Sequence, residues 1–369
     1  MEFRAIQICL VLVVASSAVG AGTTSHGKDA RSQKVERTIS TDPSVTVSIC
    51  VMAGRIRVHG WDKSEVLAQS SDAARIELRQ KGVSQSGKAI TVEVFVVDNS
   101  DQERINPNCQ ASSDLDLFVP RASSVHVQTR DGEINIADIA VAVARTQNGD
   151  IRIERVSRAI EVGSVGGSVS IRDSTGRASL TTIGGTIEGV NLRPSAAADW
   201  FEAVSVSGDL NLEGVSHSQF SARTVTGDVH LRGRLAVGGR YGFKTMSGDI
   251  TLTLPGDSSF NLSAKVSKDE GIISDFPLTL IPDAAPSPPA PAASAVRNVP
   301  PKSPALTAVT TPQPSPVIVR VGPRLNKGIV TPPVTVATPM LRRVNAVCGA
   351  GDASIQVASF NGTLHLLKN

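Results

Sequence analysis

A five-residue phrase recurs along this chain of 369 residues. It consists of a glycine, a small polar or acidic residue, and two aliphatic residues that flank a polar one. Full copies begin at Gly132, Gly149, Gly167, Gly208, Gly227 and Gly248, and a degenerate copy begins at Gly185. Successive glycines lie 17, 18, 18, 23, 19 and 21 residues apart. A near-constant period of this length is typical of chains that fold as stacked repeats.

The repeats are made of strands rather than helices. Between Thr38 and Ile281 apolar residues alternate with polar ones, for example in Val45–Ile49 and Ile90–Phe95. A period of two is the pattern of half-buried β-strands. A second alternating run precedes each glycine, so each repeat holds two short strands and two turns, one of them at Gly-Asp. The sequence therefore predicts an all-β protein.

Two all-β folds fit this pattern, a meander of hairpins and a solenoid in which each repeat is one coil. The dipeptides Asn148-Gly149 and Asn361-Gly362 are good hairpin turns and favour the meander locally. The solenoid is favoured because the glycine phrase occurs once per period and the same apolar pair always follows it. Stacked coils would share one buried aliphatic column. Its predicted members are Ile134, Ile151, Val169, Leu210, Val229 and Ile250.

We therefore predict a single-chain β-solenoid over residues 38–281, with coils of about 18–21 residues and two short strands per coil. Strands of neighbouring coils should pair in parallel. The polar residues between the aliphatic ones should point outward, as should the histidines at such positions. The predicted exposed side chains are Asn135, Arg152, His230 and Thr251, together with His126 and His365.

The N-terminus has the layout of a secretory signal. Arg4 precedes a short apolar run, Ile6–Val14, and small residues follow to Gly22. The run is too short to span a bilayer, which takes about 20 residues. We predict a signal peptide over residues 1–21 and an exported protein, either periplasmic or at the cell surface, without a transmembrane span.

A second change of composition marks residues 282–340, which contain 15 of the 21 prolines. Proline cannot donate a hydrogen bond to a sheet and favours extended polyproline II backbone, so we predict a flexible insertion. The glycine phrase returns at Gly351 and Gly362. Residues 341–369 are therefore predicted to dock back and cap the open end of the solenoid, whose last coil would otherwise expose unpaired backbone.

The insertion is also basic, although the chain has a formal net charge of only +3. From Ala284 to Gly351 there are seven basic residues and no acidic one. They are Arg297, Lys302, Arg320, Arg324, Lys327, Arg342 and Arg343. Two interpretations stay open: weak, salt-sensitive contact with polyanions, or charge that only keeps a proline-rich segment soluble.

Three cysteines would remain after signal cleavage: Cys50, Cys109 and Cys348. In an oxidising compartment one pair can form and one thiol is left over. We predict the pair Cys50–Cys109. None of the three has neighbours at zinc-ligand spacing.

Two motifs suggest ligand chemistry and have simpler explanations. Gly82–Lys88 has the spacing of a phosphate-binding loop, but Ala89 stands where Ser or Thr should hold magnesium and a strand follows. We predict a hairpin loop there. The acidic residues after the repeat glycines could form a calcium-binding ladder, or they could serve only the turns, since Asp accepts local backbone hydrogen bonds. They are Glu133, Asp150, Asp209, Asp228, Asp249 and Asp352.

Catalytic, cofactor-binding and metal-binding residues are not predicted. The six histidines are scattered, and no nucleophile-elbow or zinc-protease spacing is present. Aromatic residues make up 3% of the chain, which is poor equipment for sugar stacking. Trp61 and Trp200 are predicted to pack over coil ends or turns rather than to line a cleft. A polysaccharide-degrading enzyme is therefore the least favoured class.

Gly54–Asp62 and the Thr-x-x-Gly-Asp phrases at Thr224 and Thr245 resemble the bacterial putative-adhesin, β-strand-repeat family, a domain of unknown function. The resemblance covers about residues 38–281 and 344–369. It implies a non-catalytic surface or periplasmic binding module, with an envelope scaffold or sensor acting through a protein partner as the alternative. The implied partner is an envelope or extracellular polymer or protein, not nucleic acid, and the resemblance assigns no site residues.

Overall fold

Strands and turns are the only regular structure in residues 34–73, 75–97, 111–267, 271–282 and 341–369, which the computed structural model describes. The strands are β1 (Val35–Ala53), β2 (Ile56–Trp61), β3 (Glu65–Ser70), β4 (Arg75–Gln80), β5 (Ala89–Val97), β6 (Leu115–Pro120), β7 (Ser124–Asp131), β8 (Ile134–Ala137), β9 (Val141–Thr146), β10 (Ile151–Glu154), β11 (Ala159–Ser164), β12 (Val169–Arg172), β13 (Arg177–Thr182), β14 (Ile187–Val190), β15 (Trp200–Val204), β16 (Leu210–Glu213), β17 (Gln219–Arg223), β18 (Val229–Arg232), β19 (Arg240–Ser247), β20 (Ile250–Leu254), β21 (Phe260–Ser267), β22 (Ile272–Ser274), β23 (Thr279–Ile281), β24 (Leu341–Cys348), β25 (Ala353–Asn361) and β26 (Leu364–Lys368).

The strands form two faces, A and B, and each coil contributes one strand to each face. On face A the spatial order is β3, β6, β2, β8, β10, β12, β14, β16, β18, β20, β26 and β22. On face B it is β4, β5, β1, β7, β9, β11, β13, β15, β17, β19, β25, β21, β24 and β23. Neighbouring coils pair in parallel, and antiparallel pairs occur only at the two ends. The predicted all-β solenoid is confirmed.

The predicted aliphatic column lies between the two faces. Ile151 stands opposite Ile134 on one side and Val169 on the other, and each is 0% exposed. Burying a side chain of this size contributes about 1.5–3 kcal/mol, so the column is a major source of stability. Its further buried members are Leu115, Ile56, Ile187, Leu210, Val229, Ile250 and Leu364.

The outward positions are less uniform than predicted. Arg152 and His230 are exposed, whereas Asn135 and Thr251 are half-buried. The reason is stacking: Asn135 lies between strands β2 and β10, and the outward side chains of both neighbours flank it. An outward position in a solenoid is thus exposed only as far as its two neighbours allow.

The repeat glycine is required by the closeness of the coils. A Cβ atom on Gly167 would lie 1.9 Å from the carbonyl oxygen of Gly149, and one on Gly248 would lie 2.1 Å from that of Gly227. No side chain fits at such distances. The glycine phrase therefore marks the corner between face B and face A, where the backbones of successive coils approach most closely.

A buried hydroxyl three residues before that glycine joins the coils at the same corner. Thr224 Oγ1 donates a hydrogen bond to the Gly208 carbonyl at 3.1 Å, and Thr245 Oγ1 donates one to the Gly227 carbonyl at 3.2 Å. The buried residues of this ladder are Thr129, Thr146, Ser164, Thr182, Ser205, Thr224, Thr245 and Ser359. The Thr-x-x-Gly-Asp phrase is therefore a structural device.

The degenerate copy has a packing reason. Its last residue, Gly189, occupies the inward position that holds an aliphatic side chain in neighbouring coils. A Cβ there would lie 3.0 Å from Leu212 Cδ2, with the ring of Phe201 close by at 3.9 Å. Phe201 stacks on Phe220 with centroids 5.1 Å apart. The core changes from aliphatic to aromatic at this coil, and glycine provides the room.

Of the C-terminal strands that were predicted to cap the stack, β25 and β26 lie inside it instead, and only β24 lies at its end. Strand β25 pairs with β19 on one side and β21 on the other, and β26 lies between β20 and β22. The outermost coil is β21–β22, and β24 covers its face B edge antiparallel. Along the sequence the outer coil comes first, and the later strands β25 and β26 lie between it and the coil β19–β20. Gly351 is not an equivalent of the repeat glycines, because the strand that follows it lies on face B.

Several sequence predictions concern residues outside the described ranges. The signal peptide (1–21) and nearly all of the flexible insertion (282–340) stay predictions. Arg342 and Arg343 do not belong to the insertion, since both lie in β24. Cys50 is disulfide-bonded; Cys109 is outside the described residues, so the predicted pairing remains a prediction. No helix in the described part of the chain is long and apolar enough to cross a membrane.

The segment that mimics a phosphate-binding loop is a hairpin loop, as predicted. Strands β4 and β5 on either side of it are antiparallel neighbours. Within the loop, Ser84 N donates a hydrogen bond to the Lys88 carbonyl at 2.8 Å, and Gly87 N donates one to the Ser84 carbonyl at 2.9 Å. Its backbone N–H groups are thus used by the turn.

Candidate functional site

A groove runs along the outer side of face B, across the strands. It consists of two adjoining clefts of about 740 and 360 Å³ that share Val143, Arg145 and Glu161 in their walls. The clefts extend from Phe95 on β5 to Trp200 on β15. The groove spans seven strands including both ends, so six spacings of about 4.8 Å make it roughly 29 Å long. We call it the face B groove.

The strand register builds this groove from single outward positions. His126, Val143, Glu161 and Ser179 stand opposite one another on four successive coils. Because side chains alternate along a strand, the residues between them point into the core. A small outward residue, Gly163, stands opposite Arg145 in the next column and leaves depth there. The groove is thus a rigid surface whose shape is set by a few outward residues.

Two ion pairs lie in the groove. Arg145 Nη2 lies 2.6 Å from Glu161 Oε1, and Lys81 Nζ lies 2.5 Å from Glu93 Oε1. The Arg79 guanidinium lies 4.5 Å above the ring of Phe95. These ion pairs are largely exposed to solvent and therefore stabilise the fold little. Their donors and acceptors can instead be offered to a ligand. Arg79 is paired with Glu77 at 3.2 Å, outside the lining, and Arg177 makes no ion pair in the described chain, so the groove carries a small positive excess.

Trp200 lies in the groove, so the prediction that it packs over a turn is wrong. It is the first residue of β15 and is 37% exposed, and an outward position at a strand start leaves one ring face free. Trp61 does pack over a turn: its Nε1 donates a hydrogen bond to the Glu65 carbonyl at 2.9 Å. Both tryptophans occupy outward positions, but Trp61 ends β2 beside a turn whereas Trp200 begins β15 beside the groove, a distinction that composition does not carry.

Comparison with known proteins gives a family match for part of the repeat region. Residues 190–274 match the family model described as Toastrack DUF4097. The matched segment runs from the end of β14 to β22 and contains the cleanest copies of the glycine phrase. The predicted resemblance to a β-strand-repeat domain of unknown function is thereby confirmed, and no curated protein matches the chain.

Crystal structures similar to this chain include two described as putative adhesins. One, from Bacteroides fragilis NCTC 9343, is 18% identical with a TM-score of 0.35, and the match covers 60% of this chain and 96% of that chain. Another, from Parabacteroides merdae ATCC 43184, is 8% identical with a TM-score of 0.38 and coverages of 60% and 89%. A putative cell adhesion protein from Clostridium sporogenes ATCC 15579 is 10% identical with a TM-score of 0.21 and coverages of 90% and 99%.

The carboxylates that follow the repeat glycines serve the turns. Asp209 Oδ1 accepts a hydrogen bond from Asp228 N at 2.9 Å, and Asp228 Oδ1 accepts one from Asp249 N at 2.8 Å. Asp150 does the same for Ser168 N at 3.0 Å. Asp352 lies outside this ladder, before a face B strand. Within the described ranges no three or more His, Cys, Asp or Glu side chains are grouped as a metal site would require.

The repeat region also buries one histidine that sequence reasoning missed. His217 is 1% exposed, and its Nε2 donates a hydrogen bond to the Gly176 carbonyl at 2.7 Å. Its Nδ1 has no hydrogen-bond partner. Burial lowers the pKa of His217 below its usual value of 6.5, against the opposing effects of the Gly176 hydrogen bond and of Asp199. It lies in the interior rather than in the groove, so its role is structural.

Proposed function

We propose that this protein is a non-catalytic binding module and that the face B groove holds an extended polymer of the envelope or the extracellular surroundings. The carrying observation is the continuity of the groove across successive coils. A small-molecule site is usually a single enclosed pocket, whereas a repeating row of shallow positions suits a repeating ligand.

The chemistry of the groove favours a polar polymer of low charge, with a glycan as the first candidate. Paired ions such as Arg145 and Glu161 supply both donors and acceptors and leave little net charge. Trp200 offers a ring with an exposed face and an indole N–H, a combination suited to a ligand that is apolar on one side and polar on the other. A strongly anionic polymer would instead call for a row of unpaired basic residues, and in the described chain Arg177 is the one lining residue of that kind.

The same groove argues against hydrolysis as its activity. Glycoside hydrolysis uses two carboxyl groups with different protonation states. Glu93 and Glu161 are each held by a basic partner, Lys81 and Arg145. Export to the periplasm or cell surface is part of the proposal and is supported by the layout of the N-terminal residues.

Filling the groove tests the proposal. Ser179 and Ser221 occupy the same outward column of face B, two coils apart, and both are half-buried. Only Ser179 lines the clefts described above. The parent protein, Ser179→Trp and the control Ser221→Trp are applied to a glycan array and to immobilised envelope polymers. The proposal expects binding by the parent and the control and at least tenfold weaker binding by Ser179→Trp.

Three other outcomes would overturn it. Equal binding by both variants would mean that the groove does not take part in binding the polymer. Capture of a membrane protein instead of a polymer, unaffected by Ser179→Trp, would favour the envelope scaffold or sensor. Shortening of a glycan by the parent, lost in Glu161→Gln, would make the protein an enzyme.

A further inference from the structure

An exposed apolar ridge runs along the corner that joins face B to face A. At this corner five successive coils place an aliphatic side chain outward, one residue after the buried hydroxyl. Their exposed fractions lie between 42% and 53%. The members of the ridge are Val165, Ile183, Val206, Val225 and Met246. Two earlier coils carry Arg130 and Gln147 at this position, so the turn itself does not require an apolar residue.

The ridge is continuous and rigid. The carbonyl of each member accepts a hydrogen bond from the following coil: Ile183 from Ser207 N at 2.7 Å, Val206 from Thr226 N at 2.9 Å, and Val225 from Ser247 N at 2.9 Å. Neighbouring side chains are therefore about 4.8 Å apart. Single exposed aliphatic residues are ordinary, but a contiguous apolar patch on a soluble protein marks an interaction surface.

A furrow of small residues runs beside the ridge. The residue after each member is glycine, serine or threonine, and the sequence of the furrow is Gly166, Gly184, Ser207, Thr226 and Ser247. Because these side chains are short, a second row of aliphatic side chains could lie in the furrow and contact the ridge. The shape of this corner is therefore complementary to that of the same corner in a second copy of the chain.

Charges of opposite sign border the ridge. On the face B side lie Arg223 and Lys244, and on the face A side lie Asp228 and Asp249. Lys244 makes no ion pair with the rest of the described chain, and Arg223 has only a loose contact with Glu202 at 3.8 Å. The pattern across the corner is therefore basic, apolar, acidic.

We propose that the ridge is a self-association surface on which a second copy of this chain docks, with a two-fold axis parallel to the stacking direction. Rotation about that axis brings the basic border of one copy to the acidic border of the other and lays each ridge in the other's furrow. Lys244 then faces Asp249 of the partner subunit at the same level. A two-fold axis across the stack would instead place like charges together, so the borders select the parallel arrangement. Closed two-fold pairing is also the commonest form of self-association.

Sedimentation of the full-length protein tests the surface. The fraction of dimer in the parent protein is expected to rise with protein concentration. The dimer should be weak, because a single ridge is small compared with the interface of a standard stable complex. Val225→Glu buries a charge in the pair and should weaken dimerisation by roughly tenfold or more. The control is Val237→Glu, since Val237 is 86% exposed and lies away from the ridge. Lys244→Glu should also weaken the dimer, whereas Lys265→Glu, two coils further along the same column, should not.

Cysteine cross-linking tests the arrangement. Ser207 and Ser247 lie in the furrow on coils either side of Thr226. In the parallel arrangement Ser207→Cys and Ser247→Cys each lie level with their own counterpart, one column across the two-fold axis, so a short thiol-reactive cross-linker joins each pair into a covalent dimer. In an antiparallel pair only one level can meet itself.

A parent that stays monomeric at every concentration would overturn the proposal, as would dimers that Val225→Glu leaves intact. If Val225→Glu abolished binding to another molecule while the parent stayed monomeric, the ridge would belong to a foreign partner. Each result is independent of the groove, because no ridge residue lines it.

Discussion

The stacking of glycine on glycine gives the sharpest test of the fold. Gly167 has no Cβ, and one added there would lie 1.9 Å from the Gly149 carbonyl oxygen and 2.4 Å from its carbon. Both atoms are backbone and cannot rotate away. Gly167→Ala must therefore move one coil relative to the next.

The size of the effect follows from that movement. A carbon and a carbonyl oxygen normally approach to about 3.3 Å, so the coils must separate at this corner by roughly 1.4 Å. That displacement breaks two hydrogen bonds, Ile151 N to the Ser168 carbonyl at 2.9 Å and Ser168 N to Asp150 Oδ1 at 3.0 Å. Two lost bonds cost about 2 kcal/mol, and strain adds about 1–3 kcal/mol. We expect a loss of about 3–5 kcal/mol and a fall in melting temperature on the order of 10 °C.

The matched control is Gly163→Ala, four residues earlier in strand β11. Its nearest neighbour would be Arg145 Cγ at 3.8 Å, so we expect a change within about 0.5 kcal/mol. Thermal unfolding followed by far-ultraviolet circular dichroism, with urea midpoints as a second measure, compares both variants with the parent. A Gly167→Ala protein as stable as the Gly163→Ala protein would refute the reasoning, because the coils could not then be stacked in this register.

Three further predictions concern single features. The pKa of His217 is lowered in the folded protein, so the unfolded chain takes up the proton first and the free energy of unfolding should fall as pH drops below about 6.5. Urea midpoints at several pH values should show a smaller fall for His217→Gln, which keeps a donor for Gly176. Thr224→Val removes a donor to two carbonyls at 3.1 and 3.3 Å and should cost about 1–3 kcal/mol in urea unfolding, while a cost near zero would deny the hydroxyl its bridging role. Deletion of residues 284–340 should reduce retention on anionic vesicles at low salt but not at high salt, and equal retention by the intact protein would make the insertion a spacer.

The repeat could be predicted from sequence because each coil repeats the same three demands. Close backbone contact between coils requires Gly167 and its equivalents, and the core requires Ile151 and its equivalents. The third demand is the near-constant spacing that brings these positions into register from coil to coil. The order of the coils could not be predicted. Strand β26 carries the same pattern whether it lies at the end of the stack or between β20 and β22, because period-two alternation records which side of a strand is buried and not which strands flank it.

The candidate sites lie at the positions that the repeat leaves free. The phrase fixes the glycine, the hydroxyl and the inward aliphatic residues, and these explain stability without any ligand. The groove depends on outward residues such as Gly163 and Ser179, and the ridge on the single residue after each hydroxyl, where Gln147 gives way to Val165 in the next coil. Such a change has no consequence for the stacking of the backbone. A run of five apolar residues at a position where the fold accepts arginine or glutamine is therefore best explained by contact with another molecule, and the self-complementary borders identify that molecule as a second copy of the chain.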